Sequence, residues 1–423
     1  MKTKRKLTFF ASFSVAFLVL IAFSGSLWAA LNRWPSLGAQ GADLLRAFLG
    51  DHAVSHLEMA YFKFQDTLQE WQCRLGLSSP EAPWQMPAPD PTQIATPVPV
   101  GAPKATPTPP DSAPMETPGI TATPSPPFSP PSITEMPAAT STPTLWTPQN
   151  LAPLGKLKGE GLWSAYIQDP QGKALAYRTF LQPDPQRPYA FVAIVAFDLT
   201  ATRLHYVLGS IEPLSPDGPR QAGKIAAEDR APGRLLATFN GGFKATHGQF
   251  GAMADGILAL PPKDGLGAVI IYADGRVELD ECGAQTLASP EVLAWRQNGP
   301  LVVQGGRINP RIYNNSPKDW GYTVDDVSPT LRSGLALNAD GKTLYYLAGP
   351  RLTMEALALS MLSAGAANGI QLDINNYWVH FVAIRQGEDG FAPEALLPEF
   401  MTENLDRYLY PYTRDFFYIT AGF

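Results

Sequence analysis

Cysteine is nearly absent from this chain: Cys73 and Cys282 are the two among 423 residues, and a long proline-rich stretch lies between them. A disulfide scaffold is thereby excluded, and a bridge between these two is not expected, since nothing else draws their segments together. Charge is also sparse, at 17% of residues with a net charge of −6 and no basic stripe, so nucleic acid is not an expected partner. Histidine is scarce, five in all, and none has the histidine–cysteine spacing of a zinc site. His52 and His56 lie four apart on a helical pattern but have no third ligand nearby, so they read as a solvated helix face. The sequence has no G-x-S-x-G nucleophile elbow, and neither cysteine stands with a histidine as in a protease.

Proline, by contrast, is plentiful and unevenly placed, with 21 of the 42 between Pro80 and Pro148. Repeats such as "ATPTPP" and "TATPSPPFSPP" cannot bury enough apolar surface to offset chain entropy, so residues 80–150 read as a disordered, polyproline-like linker. At about 3.1 Å per residue it reaches at most on the order of 200 Å. Before it, "MKTKRK" precedes an apolar and small-residue run from Leu7 to Leu31, long enough to span a bilayer. A cleaved signal peptide, with Ala22-Phe23-Ser24 as the cleavage site, is the alternative. The basic flank puts the N-terminus in the cytoplasm, so the expectation is a single-pass cell-membrane protein with an extracytoplasmic C-terminal domain, or else a secreted one. Residues 32–79 carry Leu44, Phe48, Leu57, Tyr61, Phe64 and Trp71 near helical spacing, an amphipathic helical stalk at the membrane face.

Residues 151–423 have globular composition. Short apolar runs alternate with turn signals, and in "AVIIYADGRVELD" and "GLALNADGKTLYYLAG" an Ala-Asp-Gly sits between β-type runs as a hairpin would require. One helix breaks the series, "TMEALALSMLSAGA", with Thr353 as N-cap and Met354, Leu357 and Met361 on one face. The pattern predicts an α+β fold with a mixed, antiparallel-rich sheet and few helices.

Four segments run from an apolar strand into glycine, asparagine or charged residues: Asn240-Gly241-Gly242-Phe243-Lys244, Asn298-Gly299-Pro300, Leu331-Arg332-Ser333-Gly334 and Leu372-Asp373-Ile374-Asn375-Asn376. Strand ends feeding polar loops are where sites are built on rigid scaffolds. In this order, over roughly Tyr189 to Phe423, they resemble the phosphodiester glycosidase family, whose best-known member removes N-acetylglucosamine from the phosphate of mannose-bearing glycoproteins. "ATFNGGF" is similar to the early asparagine-glycine motif, "QNGPLVVQGGRI" to the central one, and "SPTLRSGLALNADGKTLYYLAG" to the arginine motif with its trailing hairpin. At the acidic motif, where the family has an aspartate followed by glycines and a serine, Asp373 is followed here by Ile374, Asn375, Asn376 and Tyr377.

The resemblance implies hydrolysis of a sugar-1-phosphodiester in a cell-surface or extracellular glycoconjugate. The departing phosphate has low basicity, so the reaction needs a cation or N–H cluster for the phosphate and a carboxylate for the sugar or water, more than a strong acid. Arg332 is the expected phosphate clamp and Asp373 the expected nucleophile or base. Asn240, Gly241, Gly242, Lys244, Asp255, Asn298, Asn375, Asn376 and Trp378 are the expected substrate-binding residues, while His247 and His380 are either proton carriers or structural. Asp325 and Asp326, near the arginine, are a loop pair or the holders of a divalent cation. The altered acidic motif leaves a non-catalytic glycan-binding module as the alternative.

Overall fold

The computed structural model describes residues 25–85, 146–213, 218, 220–314, 316, 319–320, 328–387 and 390–422. Most of the apolar run of residues 7–31, most of the linker, and the pair Asp325 and Asp326 lie outside the described residues. Among the described residues no helix is long and apolar enough to cross a membrane.

Turn chemistry sets the nearest contacts of the fold. Ala273-Asp274-Gly275 joins β8 (Gly267–Tyr272) to β9 (Val277–Glu281), and Ala339-Asp340-Gly341 joins β13 (Thr330–Asn338) to β14 (Thr343–Leu352), with the glycines at φ 88° and 70°. A side chain at those φ values would be strained, which is why the tripeptides end in glycine. In one sheet β13 and β14 sit centrally, flanked on one side by β3 (Val192–Asp198), β2 (Ala174–Leu181) and β1 (Ser164–Gln168). Its other side holds β15 (Ala366–Gln371), β11 (Leu301–Gln304) and β12 (Arg307–Ile308). A second sheet runs β7 (Ile257–Leu260), β6 (Ala252–Ala254), β10 (Val292–Gln297), β8, β9. The third runs β17 (Gly390–Ala395), β16 (Phe381–Gly387), β5 (Leu235–Asn240), β18 (Phe416–Ala421), β4 (Thr202–Val207). Neighbouring strands pair antiparallel, as between β13 and β14 and between β5 and β18.

One core joins the three sheets. Phe239 of β5 lies 5.9 Å from Phe381 of β16 and 5.6 Å from Phe417 of β18, and Tyr346 of β14 is 4.9 Å from Phe381, ring centre to ring centre. Each fully buried phenylalanine contributes about 1.5–3 kcal/mol by leaving water. Two further α-helices are α3 (Ala284–Leu287) and α4 (Met354–Ser363). In α4 the Thr353 hydroxyl accepts a hydrogen bond from Ala356 N (3.1 Å), and Met354, Leu357 and Met361 are buried against the first sheet, as their spacing predicts.

The segment expected to stand as a stalk instead folds back. Its helices α1 (Pro35–Leu49) and α2 (Asp51–Arg74) form a hairpin against the domain, with Asp66 bound to Arg187 Nε and Tyr189 Oη (2.9 Å each) and Ser36 N donating to Glu403 Oε1 (3.0 Å). Phe62 packs on the apolar cluster of Phe243, Phe250 and Ile374. Leu44, Phe48, Leu57, Phe64 and Trp71, whose spacing marked the helices, remain exposed, so the hairpin meets the domain by another face. Both ends of the linker are also docked: Trp84 meets Phe180 at 5.7 Å and Trp146 meets Tyr177 at 5.5 Å. Both cysteines are free thiols.

Candidate functional site

The register of the third sheet brings the strand ends together. Asn240, last residue of β5, lies opposite Phe416, first residue of β18, and Asn240 N donates to His380 O at 2.9 Å. Arg414 and Asp415 therefore enter beside Asn240-Gly241-Gly242. On the other side Asp373, two residues beyond β15, donates its N–H to Gly241 O at 3.3 Å. The result is a cleft of about 40 Å³ lined by Phe243, Lys244, His247, Asp373, Asn375, Trp378 and Arg414 from the domain.

Asp373 is the carboxylate that the domain places in this cleft. Its Oδ1 accepts from Ile374 N (2.8 Å) and Asn375 N (2.9 Å), and its Oδ2 pairs with Arg414 Nη2 at 2.7 Å, both side chains being buried. The same Nη2 donates to Gly242 O at 2.7 Å. Arg414 also lies over the Trp378 ring, 4.5 Å from its centre, with Lys244 Nζ at 5.9 Å. Trp378 thus orients the two cations, and its face is not an open platform for a sugar ring. His247 shares the cleft, with its pKa pushed down to about 3 by burial and then by Arg46, Lys244 and Arg414. Its imidazole is therefore neutral near pH 7, and the burial and cations around it oppose protonation.

Arg332 is not the phosphate clamp. It is fully buried in β13, where Nε donates to Leu352 O (2.7 Å), Nη1 to Gln371 Oε1 (2.7 Å) and Nη2 to Ser328 O (3.0 Å), and it does not line the cleft. The reason is strand parity: side chains alternate across the sheet, so Ser333, not Arg332, faces the site. Ser333 Oγ donates to Asp373 O at 2.7 Å and accepts from Asn240 Nδ2 at 3.0 Å. Asp255 is displaced as well; it occupies the turn between β6 and β7 at φ 51° and does not line the cleft.

The asparagines divide by position. Asn375 lines the cleft, whereas Asn376 lines the neighbouring cavity. Asn240 and Asn298 are buried positioning residues: Asn240 Oδ1 accepts from Tyr346 Oη (3.0 Å) and His380 N (3.1 Å). Asn298 Oδ1 accepts from Phe243 N and its Nδ2 donates to Gln371 O, both at 2.8 Å. Gly241 and Gly242 are neither at positive φ nor a ligand-facing turn. A Cβ at Gly241 would lie 2.4 Å from Asp415 Oδ2 and one at Gly242 2.5 Å from Asn298 Oδ1, so the pair is required by close packing against a buried polar network. In that network Asp415 Oδ2 accepts from Arg296 Nε (2.8 Å), Tyr206 Oη (3.0 Å) and Gly242 N (3.2 Å). His380 is buried outside the cleft, its pKa well below the usual histidine range through burial and Arg407.

Arg414 and Asp415 escaped the reading of the sequence. Their signal was present, since "YTRDFFYITA" has a charged pair at the mouth of an apolar strand, the same feature that marked the other four segments. The hairpin was also missed as a site element. Asp43 Oδ2 bonds Lys244 Nζ at 2.6 Å, and Arg46 and Glu58, paired at 2.7 Å, line the cleft with it, beside Ala39 and Phe62. Among the described residues there is no group of three metal-capable side chains, and the rings of His52 and His56 lie 4.6 Å apart, tilted by 60°.

No family model and no curated protein matches the chain. Among solved structures it is similar to the zebrafish N-acetylglucosamine-1-phosphodiester alpha-N-acetylglucosaminidase catalytic domain auto-inhibited by pro-peptide, at 16% identity and a TM-score of 0.39, over 62% of this chain and 88% of that one. It is also similar to a hypothetical protein from Synechocystis, at 11% identity and a TM-score of 0.36, over 61% of this chain and 64% of that one.

Proposed function

We propose that the cleft hydrolyses a sugar-1-phosphodiester of a cell-surface or extracellular glycoconjugate, with the domain held outside the membrane by its N-terminal segment. The observation that carries this reading is the convergence, from the domain side of the cleft, of one carboxylate, Asp373, with two cations, Arg414 and Lys244, and the uncharged imidazole of His247, while Asp43, Arg46 and Glu58 of the hairpin face them. Arg414 and Lys244 hold the phosphate, as a planar fork and a point charge respectively. Asp373 serves as nucleophile or as base toward the attacking water, and the neutral His247 orients that water by a hydrogen bond. A second carboxylate as strong general acid is not required when the leaving group is a phosphate.

One feature favours a second reading, a glycan-binding module without catalysis: both Asp373 oxygens already accept internal hydrogen bonds. A single experiment separates the two. The purified chain is assayed for sugar release from a panel of sugar-1-phosphodiesters, with and without divalent cations, beside Asp373→Asn and Arg414→Ala. Release that both substitutions remove supports hydrolysis, whereas saturable binding of the same compounds without release supports the module.

A further inference from the structure

Beyond the Ile374-Asn375-Asn376 turn lies a larger cavity of about 240 Å³, between the hairpin and the domain. That is far above the ~10–15 Å³ a single water needs. Its walls include Phe62 and Phe400 as apolar faces and Gln65, Asn376 and Arg351 as polar groups, with the exposed Glu399 at its rim.

Arg351 is placed there by an irregular strand. Thr330 pairs with Leu352 and Arg332 with Gly349, so Pro350 and Arg351 together oppose the single residue Leu331, a β-bulge. Bulges re-aim side chains next to functional sites. Arg351 has φ 57°, a left-handed conformation that is costly for a residue other than glycine, asparagine or aspartate. Among the described residues its side chain has no hydrogen bond and no ion pair. Asp66 attracts it through space, yet that carboxylate is held by Arg187 and Tyr189. Arg351 is half-buried, and burial lowers its pKa against the opposing pull of Asp66, Tyr189 and Tyr61. A guanidinium with free donors in a roomy, half-polar cavity has the chemistry of a receptor for an oxyanion.

We propose that the Arg351 cavity is a second ligand site, which takes a phosphate or carboxylate group borne on a small polar molecule or on a neighbouring unit of a glycan. Arg351 forks the anion, and Asn376 donates its side-chain amide to the same group or to the attached ring. The site stands whether or not the Asp373 cleft is catalytic, because none of its recognition uses Asp373, Lys244 or Arg414.

The test is calorimetric titration of the full chain with inorganic phosphate and, separately, with glucuronate, for the unaltered protein, Arg351→Gln and Arg414→Gln. The expected result is a binding event for at least one anion that Arg351→Gln weakens at least tenfold and Arg414→Gln leaves in place. The anion affected identifies the group. Arg351→Gln should also melt at or above the temperature of the unaltered protein without ligand, because a residue kept only for structure would be missed in the fold. Titrations unchanged by Arg351→Gln in a folded protein would overturn the proposal. Should that variant not fold, phenylglyoxal modification of the unaltered chain, mapped by peptide mass, decides: protection of Arg351 by phosphate or glucuronate upholds the site, and equal modification with and without both anions rejects it.

Discussion

Arg414 Nη2 stands 2.7 Å from Asp373 Oδ2, although the two residues are 41 positions apart and reach the cleft from different sheets. Both side chains are 6% exposed, so water does little to screen the pair, and each charge depends on the other. Removing one member of a buried pair costs about 3–5 kcal/mol, because the survivor is left uncompensated. Arg414→Ala and Asp373→Asn should each destabilise the domain on that scale, and the double variant should cost less than the sum of the two. Denaturant unfolding of the three variants measures the coupling. If Arg414 also clamps the phosphate, Arg414→Ala should lower turnover by roughly 10²–10³-fold in protein that remains folded, the scale for loss of one preorganised electrostatic contact.

Arg332 makes a contrasting prediction. Its acceptors Leu352 O, Gln371 Oε1 and Ser328 O become unsatisfied in Arg332→Met, at about 1–3 kcal/mol each. A large fall in melting temperature is expected, with ligand affinity at the Asp373 cleft unchanged below that temperature. Affinity lost in folded Arg332→Met would return the residue to the site.

Lys244 is engaged by Asp43 of the hairpin, a pair whose acid is 47% exposed. Such pairs contribute about 0.2–1 kcal/mol, so the hairpin is held over the cleft at this point by a contact that a phosphate can displace. Asp43→Asn should raise the affinity of the cleft for an anionic ligand by about 1.4- to 5-fold, the same energy expressed as a ratio. The check is a titration of both proteins at one salt concentration.

His247 sets a pH dependence. Its pKa falls from an ordinary value of about 6.5 to about 3, through burial first and the cations Arg46, Lys244 and Arg414 next, with Asp43 opposing. Between those values the unfolded chain binds a proton that the native cleft does not, so stability is fully present above pH 6.5 and declines toward pH 3. Glu58, raised above 4.5 by burial despite Arg46, gives the opposite slope just above that pH. Melting temperatures from pH 7 to pH 4 should fall less steeply for His247→Gln than for the unaltered protein.

The sequence by itself determined the elements whose causes are local. Ala-Asp-Gly between β-type runs made hairpins because only a residue without a side chain tolerates the turn, and Thr353 began a helix because its hydroxyl caps the free N–H of Ala356. It also marked Asp373, Lys244 and the Asn240-Gly241-Gly242 segment as strand-end residues. The tertiary structure alone decided which of them share a cleft. Strand parity turned Arg332 inward and Ser333 to the site, and the pairing of β5 with β18 brought in Arg414. The packing of α1 and α2 placed Asp43 on Lys244, 201 residues away. Such choices depend on which faces of distant segments are buried against each other, and no short window of sequence contains that information.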